Sequence, residues 1–214
     1  MMKRIFVTAT NTDIGKTYTT KLLLKEFASR GLRVGVLKPI ETGVVDNAPD
    51  GDMLLELIQS LNSEFKDLTR ADIVPITYEL PAAPYVSSKN RALDFKLIDK
   101  TIQKLEKLCD VLIIEGAGGL YVPIDDKTMM IDLIKYLKAT TLLVTHCSLG
   151  CINDTLLSSK ALDSYDIRHS IAFNCRENDD SFQTISEPYF LGSNKKVLKV
   201  ANEIDTICDV LYNL

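Results

Sequence analysis

The sequence predicts an α/β fold, a single domain in which helices cover both faces of a parallel β-sheet. Short apolar runs rich in β-branched residues alternate with longer segments of helical periodicity. The apolar runs are near-continuous, which is typical of parallel strands that are buried on both faces. The chain has 214 residues and 46% of them are hydrophobic, enough for one core. We therefore expect one domain over residues 1–214.

The alternation begins at the amino terminus. A β-branched run predicts a strand over 3–8. Apolar residues spaced for one helical face then predict a helix over 17–30, with Gly31 as its stop. A second apolar run predicts a strand over 33–38, and a polar loop leads from it to a helix over 52–61.

The same two patterns continue to the carboxyl terminus. In order, they predict a helix over 93–108, a strand over 110–119 that glycines interrupt, an amphipathic helix that starts at Met129 and Met130, a strand over 141–145, a helix over 151–163, a strand over 168–173, a short strand over 197–200 and a final helix over 201–212. Such sheets bind ligands at the carboxyl ends of their strands.

Charge and hydropathy narrow the class of partner. The net charge of −4 and the pI near 5.3 argue against a nucleic-acid backbone as the main partner. No apolar run reaches the roughly 18–20 residues that span a bilayer, and the amino terminus lacks the pattern of a signal peptide. We expect no membrane partner and a cytoplasmic location.

The cysteines and histidines of the chain are also typical of a cytoplasmic protein. None of the five cysteines forms a C-x-x-C pair, so without an export signal we expect reduced thiols. With two histidines in the chain, a His/Cys metal centre is not expected.

The segment "IFVTATNTDIGKT" (5–17) ends as phosphate-binding loops end, in Gly15-Lys16-Thr17. The strict pattern G-x-x-x-x-G-K-[ST] requires glycine where Thr10 stands. The loop follows a strand and opens a helix, so backbone N–H groups around 13–17 can point at phosphate oxygens. Lys16 can reach the β- and γ-phosphates, and the Thr17 hydroxyl can bind Mg²⁺. The alternative is an ordinary strand-to-helix turn, capped by Thr12 or Asp13.

Two further strand ends carry charged residues. Lys38 closes the second strand in "VLKPIETG", with Thr42 four residues on, and a lysine there favours an anionic group. Glu115 follows the apolar strand in "IIEGAGG", where a carboxylate is costly unless it is paired or bound to metal. Mg²⁺ takes one or two carboxylates plus phosphate oxygens, which makes Glu115 a candidate ligand after Thr17. A structural ion pair is the alternative.

Two helix starts are open to more than one interpretation. In "DGDMLLEL", Asp50 or Asp52 is expected to cap the helix, unless the fold brings one of them to the phosphates. In "HCSLGCIND", exposed N–H groups from Gly150 to Asn153 suit a carboxylate, although Asn153 as a plain cap explains the pattern equally well. His146 is expected to be structural.

These motifs, in this order, resemble the dethiobiotin synthetase family of ATP-dependent ligases. The matching segments are "FVTATNTDIGKT", "LKPIETG", "PAAP", "IIEGAGG", "SLGCIN" and the asparagine of "IAFNC". They run from residue 6 to about 175. Each motif alone is weak, whereas the combination is specific. The resemblance implies a P-loop NTPase-like fold, with ATP and Mg²⁺ as cofactors.

The resemblance also implies roles for individual residues. It implies that Lys16 and Lys38 are catalytic, and that Mg²⁺ is held by Thr17, Asp52 and Glu115. The implied nucleotide contacts are Thr12, Asp13, Ile14, Gly15, Lys16, Thr17, Tyr18, Asp52, Glu115, Gly116, Ala117, Gly118 and Asn174. The implied substrate contacts are Thr12, Lys38, Thr42, Pro84, Gly118, Gly150, Cys151, Ile152 and Asn153. The last four belong to the neighbouring subunit in the family, so a homodimer is implied.

The implied reaction joins 7,8-diaminononanoate and CO₂ through a carbamate and a carbamic–phosphoric anhydride, and closes a cyclic urea. Two alternatives stay open: another P-loop amide-type ligase, or a nucleotide-dependent switch. Partitioning-type ATPases carry a second lysine where this chain has Asn11, which speaks against the switch.

Four features depart from the family pattern. Ala9 replaces the first glycine of the loop and is tolerated if its φ is negative. Ser148 stands where lysine is frequent, and Cys175 where a polar residue is common. The segment after 175 is short, and since the family uses it to grip the base, we expect weak discrimination among nucleotide bases.

Overall fold

The computed structural model describes residues 2–177, 179, 181–193 and 196–214. Five parallel strands form its central sheet, in the order β2-β5-β1-β6-β7. These strands are β1 (Lys3–Ala9), β2 (Val34–Leu37), β5 (Val111–Gly119), β6 (Thr140–His146) and β7 (His169–Asn174). A separate two-stranded parallel sheet pairs β3 (Ile40–Thr42) with β4 (Ile76–Tyr78).

Helices cover both faces of the sheet, which confirms the predicted fold class. The described helices are α1 (Lys16–Ser29), α2 (Pro49–Leu61), α3 (Arg70–Ile73), α4 (Pro84–Ser87), α5 (Phe95–Leu105), α6 (Met130–Leu137), α7 (Cys151–Ser164), α8 (Phe182–Ile185), α9 (Glu187–Gly192) and α10 (Ile204–Asn213). A short 3₁₀ turn covers Ser63–Phe65. Among the described helices, none is long and apolar enough to cross a bilayer.

The central strand β1 places the predicted phosphate loop in the middle of the sheet. Its neighbours are β5 in the register Phe6↔Ile114 and β6 in the register Phe6↔Thr141. The side chains of Ile5, Phe6 and Val7 have no exposed surface. Because all five strands are parallel, the loops after β1, β2 and β5 meet at one edge of the sheet.

The elements that the sequence did not predict are the short ones. β3 and β4 have three residues each, and α3, α4 and α8 have four, too few to show a period. The predicted strand over 197–200 is wrong in extent, because the structure has only a single bridge there, between Phe173 and Lys199.

The cysteines also correct an expectation. Cys147 and Cys175 are joined by a disulfide, so the prediction of five reduced thiols is wrong for these two. The cause is the sheet register: β6 and β7 are neighbours with His146 opposite Asn174, so the next residue of each strand comes into reach. Cys109, Cys151 and Cys208 are free and buried.

Candidate active site

The loop between β1 and α1 has the geometry of an anion-binding helix start. Gly15 caps α1 with φ of 101°, and no side chain caps the helix, so capping by Thr12 or Asp13 is not observed. The first N–H groups of α1 are therefore free to bind a ligand. The Lys16 ammonium donates to the Asn11 carbonyl at 3.2 Å, which folds the lysine back over the loop.

The departure at Ala9 causes no strain. Ala9 is the last residue of β1 and is fully buried. Its φ is not among the positive values, which in this loop belong to Asp13 and Gly15. The condition under which alanine is tolerated is therefore met.

A buried cluster of charges lies beside the loop. The Lys38 ammonium donates to Glu115 Oε1 and to Asp50 Oδ2, both at 2.7 Å. The Thr17 hydroxyl donates to the same Glu115 oxygen at 2.9 Å. Lys38 and Glu115 are 4% and 1% exposed. The ends of β2 and β5, the phosphate loop and the start of α2 thus meet in one cluster.

The contacts of the cluster hold Lys38 and Asp50 in their charged forms. Burial acts to lower the pKa of Lys38, but the Glu115 and Asp50 carboxylates outweigh burial and raise that pKa above the ordinary lysine range. Burial likewise acts to raise the pKa of Asp50, but Lys38 and the nearby Thr17 hydroxyl lower it. An ammonium at Lys38 and a carboxylate at Asp50 are the expected result at neutral pH.

Lys16 has a different environment. Burial lowers the pKa of its ammonium, and Glu115 offsets only part of this effect while Lys38 adds to it. Since its only hydrogen-bond partner among the described residues is a carbonyl, Lys16 keeps two N–H donors for an anionic ligand.

Lys16, Thr17, Lys38 and Asp50 line an open cavity of about 740 Å³, whereas Glu115 is not part of its wall. Most of the residues predicted to bind nucleotide or substrate lie on its wall, namely Thr12, Asp13, Gly15, Lys16, Thr17, Tyr18, Lys38, Thr42, Pro84, Gly116, Ala117 and Gly118. The wall also contains residues that the sequence did not single out, namely Glu41, Pro81, Ala82, Ala83, Val122 and Arg176.

The structure separates the two aspartates at the start of α2. Asp50 lines the cavity and contacts Lys38, whereas Asp52 is not part of the cavity wall. The Asp52 carboxylate instead accepts the Ala48 N–H at 2.9 Å and lies 3.3 Å from the Arg70 guanidinium. Both aspartates lie inside α2, whose N-cap residue is Ala48 and has no side-chain cap, so the expected capping by Asp50 or Asp52 is wrong. The acidic residue brought to the phosphate loop is Asp50.

The acidic groups fit a hard divalent cation. Glu115 Oε2 is buried and has no hydrogen-bond partner in the described residues, although a buried carboxylate oxygen normally has one. With the Thr17 hydroxyl and Asp50 beside it, this oxygen suits Mg²⁺, which takes one or two carboxylates plus phosphate oxygens. The described residues include no cluster of three or more His, Cys, Asp or Glu that could hold a metal ion by itself.

Two residues at the carboxyl end of β7, Asn174 in the strand and Arg176 just after it, brace the phosphate loop. The Asn174 amide donates to the Ile14 carbonyl at 2.8 Å, and the Arg176 guanidinium donates to the Asp13 carbonyl. A Cβ on Gly15 would lie 2.1 Å from the Asn174 amide nitrogen, so this position requires glycine for space as well as for its φ. Neither contact could be predicted from the sequence, because each joins two residues that are about 160 positions apart.

The start of α7 lies apart from the cavity. Gly150 caps this helix with φ of 98° and without a side-chain cap, and Asn153 bonds Asp154 instead of capping. None of the residues from Gly150 to Asn153 lines the cavity of the same chain. His146, at the end of β6, contacts Ser148 and Asp154, which fits the structural role expected of it.

The fold and this loop define a P-loop nucleotide-binding domain, and comparison with known proteins agrees. A family model described as an AAA domain matches residues 3–204. The MinD cell division protein in the MinC:MinD complex of Aquifex aeolicus has a TM-score of 0.54 at 16% identity, over 92% of this chain and 79% of that one. A plasmid partition protein of Borrelia burgdorferi has a TM-score of 0.62 at 9% identity, over 100% of this chain and 99% of that one. At such identities the likeness concerns the fold alone.

Sequence relatives narrow the class. The ATP-dependent dethiobiotin synthetase BioD of Sulfurovum sp. is 47% identical over 189 residues, which are 88% of this chain and 90% of the relative. The protein of the same name from Wolinella succinogenes is 36% identical over 215 residues, 99% of each chain. The chain belongs to the family of ATP-dependent dethiobiotin synthetases, which are ligases.

Proposed function

We propose that this protein uses ATP and Mg²⁺ to convert 7,8-diaminononanoate and CO₂ into dethiobiotin. The observation that carries the proposal is the Lys38 ammonium, held 2.7 Å from Glu115 beside the phosphate loop. It supplies a second cation at the place where the γ-phosphoryl group of a bound nucleotide would lie. The names of the relatives supply the product.

The reaction balances in three steps. One substrate amine adds to CO₂, loses a proton and becomes a carbamate. A carbamate oxygen attacks the γ-phosphorus of ATP, so ADP leaves and a carbamic–phosphoric anhydride forms. The second amine attacks the anhydride carbonyl, closes the cyclic urea and releases phosphate and a proton.

The residues of this chain act mainly by charge and position. The carbamate, the phosphates and the leaving groups are all anionic, so Lys16 and Lys38 would stabilise the charge that develops in phosphoryl transfer. Thr17, Glu115 and Asp50, in place of Asp52, would hold Mg²⁺, which when bound neutralises phosphate charge. Holding the second amine near the carbonyl can lower the barrier by about 7–11 kcal/mol.

The remaining cavity wall suits the diamine. Thr12, Thr42, Pro84 and Gly118 lie on the wall of the same cavity as Lys16 and Lys38. We assign the distant carboxylate of the substrate to the start of α7 in a second copy of the chain, because that helix start does not reach the cavity of its own chain. The proposal therefore includes a homodimer with sites at the interface.

The first test is to identify the product. Purified protein is incubated with diaminononanoate, bicarbonate, Mg²⁺ and ATP, the product is examined by mass spectrometry, and released phosphate is counted. The expected result is one cyclic urea for each phosphate. Phosphate release that needs no diamine would favour a switch, and phosphate without the urea would favour another amide-type ligase.

The shared site is tested by mixing two inactive variants. K16A removes the phosphate-loop lysine, and N153E places a carboxylate at an exposed position in the first turn of α7. If each site combines the loop of one copy with α7 of the other, the mixed dimer has one intact site and activity returns. No recovery from mixed dimers, verified by differential tags, would assign both elements to one chain.

A further inference from the structure

A third carboxylate, Glu41, lies in the wall of the cavity and has no role in the proposed reaction. Glu41 is the middle residue of β3 and is 4% exposed. Its Oε1 accepts the Asp50 N–H and its Oε2 accepts the Gly51 N–H, each at 3.0 Å. Both oxygens of this buried carboxylate are thus bound to consecutive amides in the first turn of α2.

These amides are the ones that a helix leaves without an internal acceptor. A carboxylate is favoured there by the positive end of the helix dipole, which offsets part of the cost of burying it. Burial still raises the pKa of Glu41, while Lys38 and the two amides act to lower it. Glu41 therefore anchors the start of α2 against the two-stranded sheet.

The close approach of Gly51 shows how tightly this contact is packed. A Cβ on Gly51 would lie 2.7 Å from Glu41 Oε2 and 2.6 Å from Val74 Cγ2. Only glycine permits the amide to come so near to the carboxylate. Gly51 of "PDGD" must therefore lack a side chain for Glu41 to bind its amide.

Glu41 and Asp52 bind different amides at this helix start. Asp52 already accepts the Ala48 N–H at 2.9 Å, and Pro49 occupies the first turn. What Glu41 adds is a bond to the backbone of Asp50, the residue whose carboxylate contacts Lys38. This bond constrains where the Asp50 side chain starts, and so where its oxygens lie relative to Lys38.

We propose that Glu41 is a positioning residue that sets the place of the Asp50 carboxylate, and through it the divalent cation and Lys38. The inference rests on the proposed function in that Asp50 is assigned to the cation site. It assigns to the glutamate of "KPIETG" the role that outer hydrogen-bond partners have at metal sites, where their loss costs about 10–100-fold in affinity or activity.

The test compares E41Q with D52N, a matched control at the other carboxylate that binds an amide at the start of α2. The first readout is the affinity for Mn²⁺ in the presence of a non-hydrolysable ATP analogue, followed by the electron paramagnetic resonance signal of free Mn²⁺. We expect E41Q to weaken Mn²⁺ binding about 10-fold or more, and D52N to leave it within about 2-fold. E41D, which retracts the oxygens by one methylene, should behave like E41Q.

The second readout is a double-mutant cycle on kcat with D50N. If Glu41 acts through Asp50, then E41Q lowers kcat in the wild type but has little further effect in D50N. Additive effects would overturn the proposal. The proposal would also be overturned if E41Q and E41D lost thermal stability but kept the Mn²⁺ affinity of the wild type. That result would mean that Glu41 only stabilises the fold. If the wild type makes no cyclic urea, the proposed function fails, whereas the Mn²⁺ comparison still decides the role of Glu41.

Discussion

The Lys38 ammonium and the Glu115 carboxylate meet at 2.7 Å, although 77 residues separate them in the chain. The contact forms because β2 and β5 are neighbours in the sheet and both end at the same edge. The pair is buried, and it lies between the phosphate loop and the start of α2. This position couples the stability of the domain to its chemistry.

Replacing Lys38 by methionine tests that coupling. Glu115 would be left as a buried carboxylate without its cation, so we expect K38M to lower the free energy of unfolding by about 3 kcal/mol. Urea unfolding measures this loss. Product formation should fall far more than nucleotide affinity, because the proposed reaction assigns Lys38 to the reacting groups.

The control is K104M, which removes an exposed lysine 2.6 Å from Asp72. An exposed pair contributes about 0–1 kcal/mol, so K104M should stay close to wild type in stability and turnover. If K38M loses affinity for ATP while the ATP that still binds is turned over at the wild-type rate, the role assigned to Lys38 is wrong.

Lys16 predicts a pH dependence of nucleotide binding. K16A should abolish turnover. The ammonium binds phosphate only when it is protonated, and burial lowers its pKa. We therefore expect affinity for a non-hydrolysable ATP analogue to fall as pH rises, starting below the ordinary lysine pKa of about 10.4. Calorimetric titration from neutral to alkaline pH measures this, and K16A should lack the alkaline decline. An identical decline in K16A would assign it to another group.

Asp50 and Asp52 should separate on cation dependence. D50N removes the carboxylate that contacts Lys38, so we expect the Mg²⁺ concentration for half-maximal phosphate release to rise about 10-fold or more. D52N should leave it unchanged and cost at most about 1 kcal/mol of stability, because the asparagine oxygen still accepts the Ala48 N–H and the exposed pair with Arg70 contributes little. The reverse pattern would return the cation to Asp52.

Asn174 is expected to support the loop as well as face the base. Its amide donates to the Ile14 carbonyl, and an aspartate there cannot donate. N174D should therefore raise KM for ATP, GTP and CTP together. A strong preference for one of them that N174D abolishes would show that base recognition is the main role of Asn174.

The disulfide predicts a thiol count. With Cys147 and Cys175 bonded, the denatured, unreduced protein should show three reactive thiols, from Cys109, Cys151 and Cys208, and five after reduction. The bond spans 28 residues, so reduction should lower stability by about 3–4 kcal/mol in the chain-entropy description. Five thiols without reduction would exclude the bond.

The sequence alone determined the features that are local in the chain. The strand, loop and helix around Gly15-Lys16-Thr17 could be predicted because the phosphate loop needs these residue types in direct succession. The order of strands and helices followed from apolar periodicity, and Lys38 and Glu115 followed from their places at strand ends.

Tertiary structure decided what depends on direction or on distant contacts. Asp50 and Asp52 are two positions apart on a helix, so their side chains point about 200° apart, and only the docking of α2 selects which one meets Lys38. The disulfide between Cys147 and Cys175 also depends on tertiary structure, because the register of β6 against β7 brings the two residues together. The contact of Glu41 with the Asp50 amide could not be predicted from the sequence, because nothing in the motif "KPIETG" indicates which backbone amides the glutamate binds.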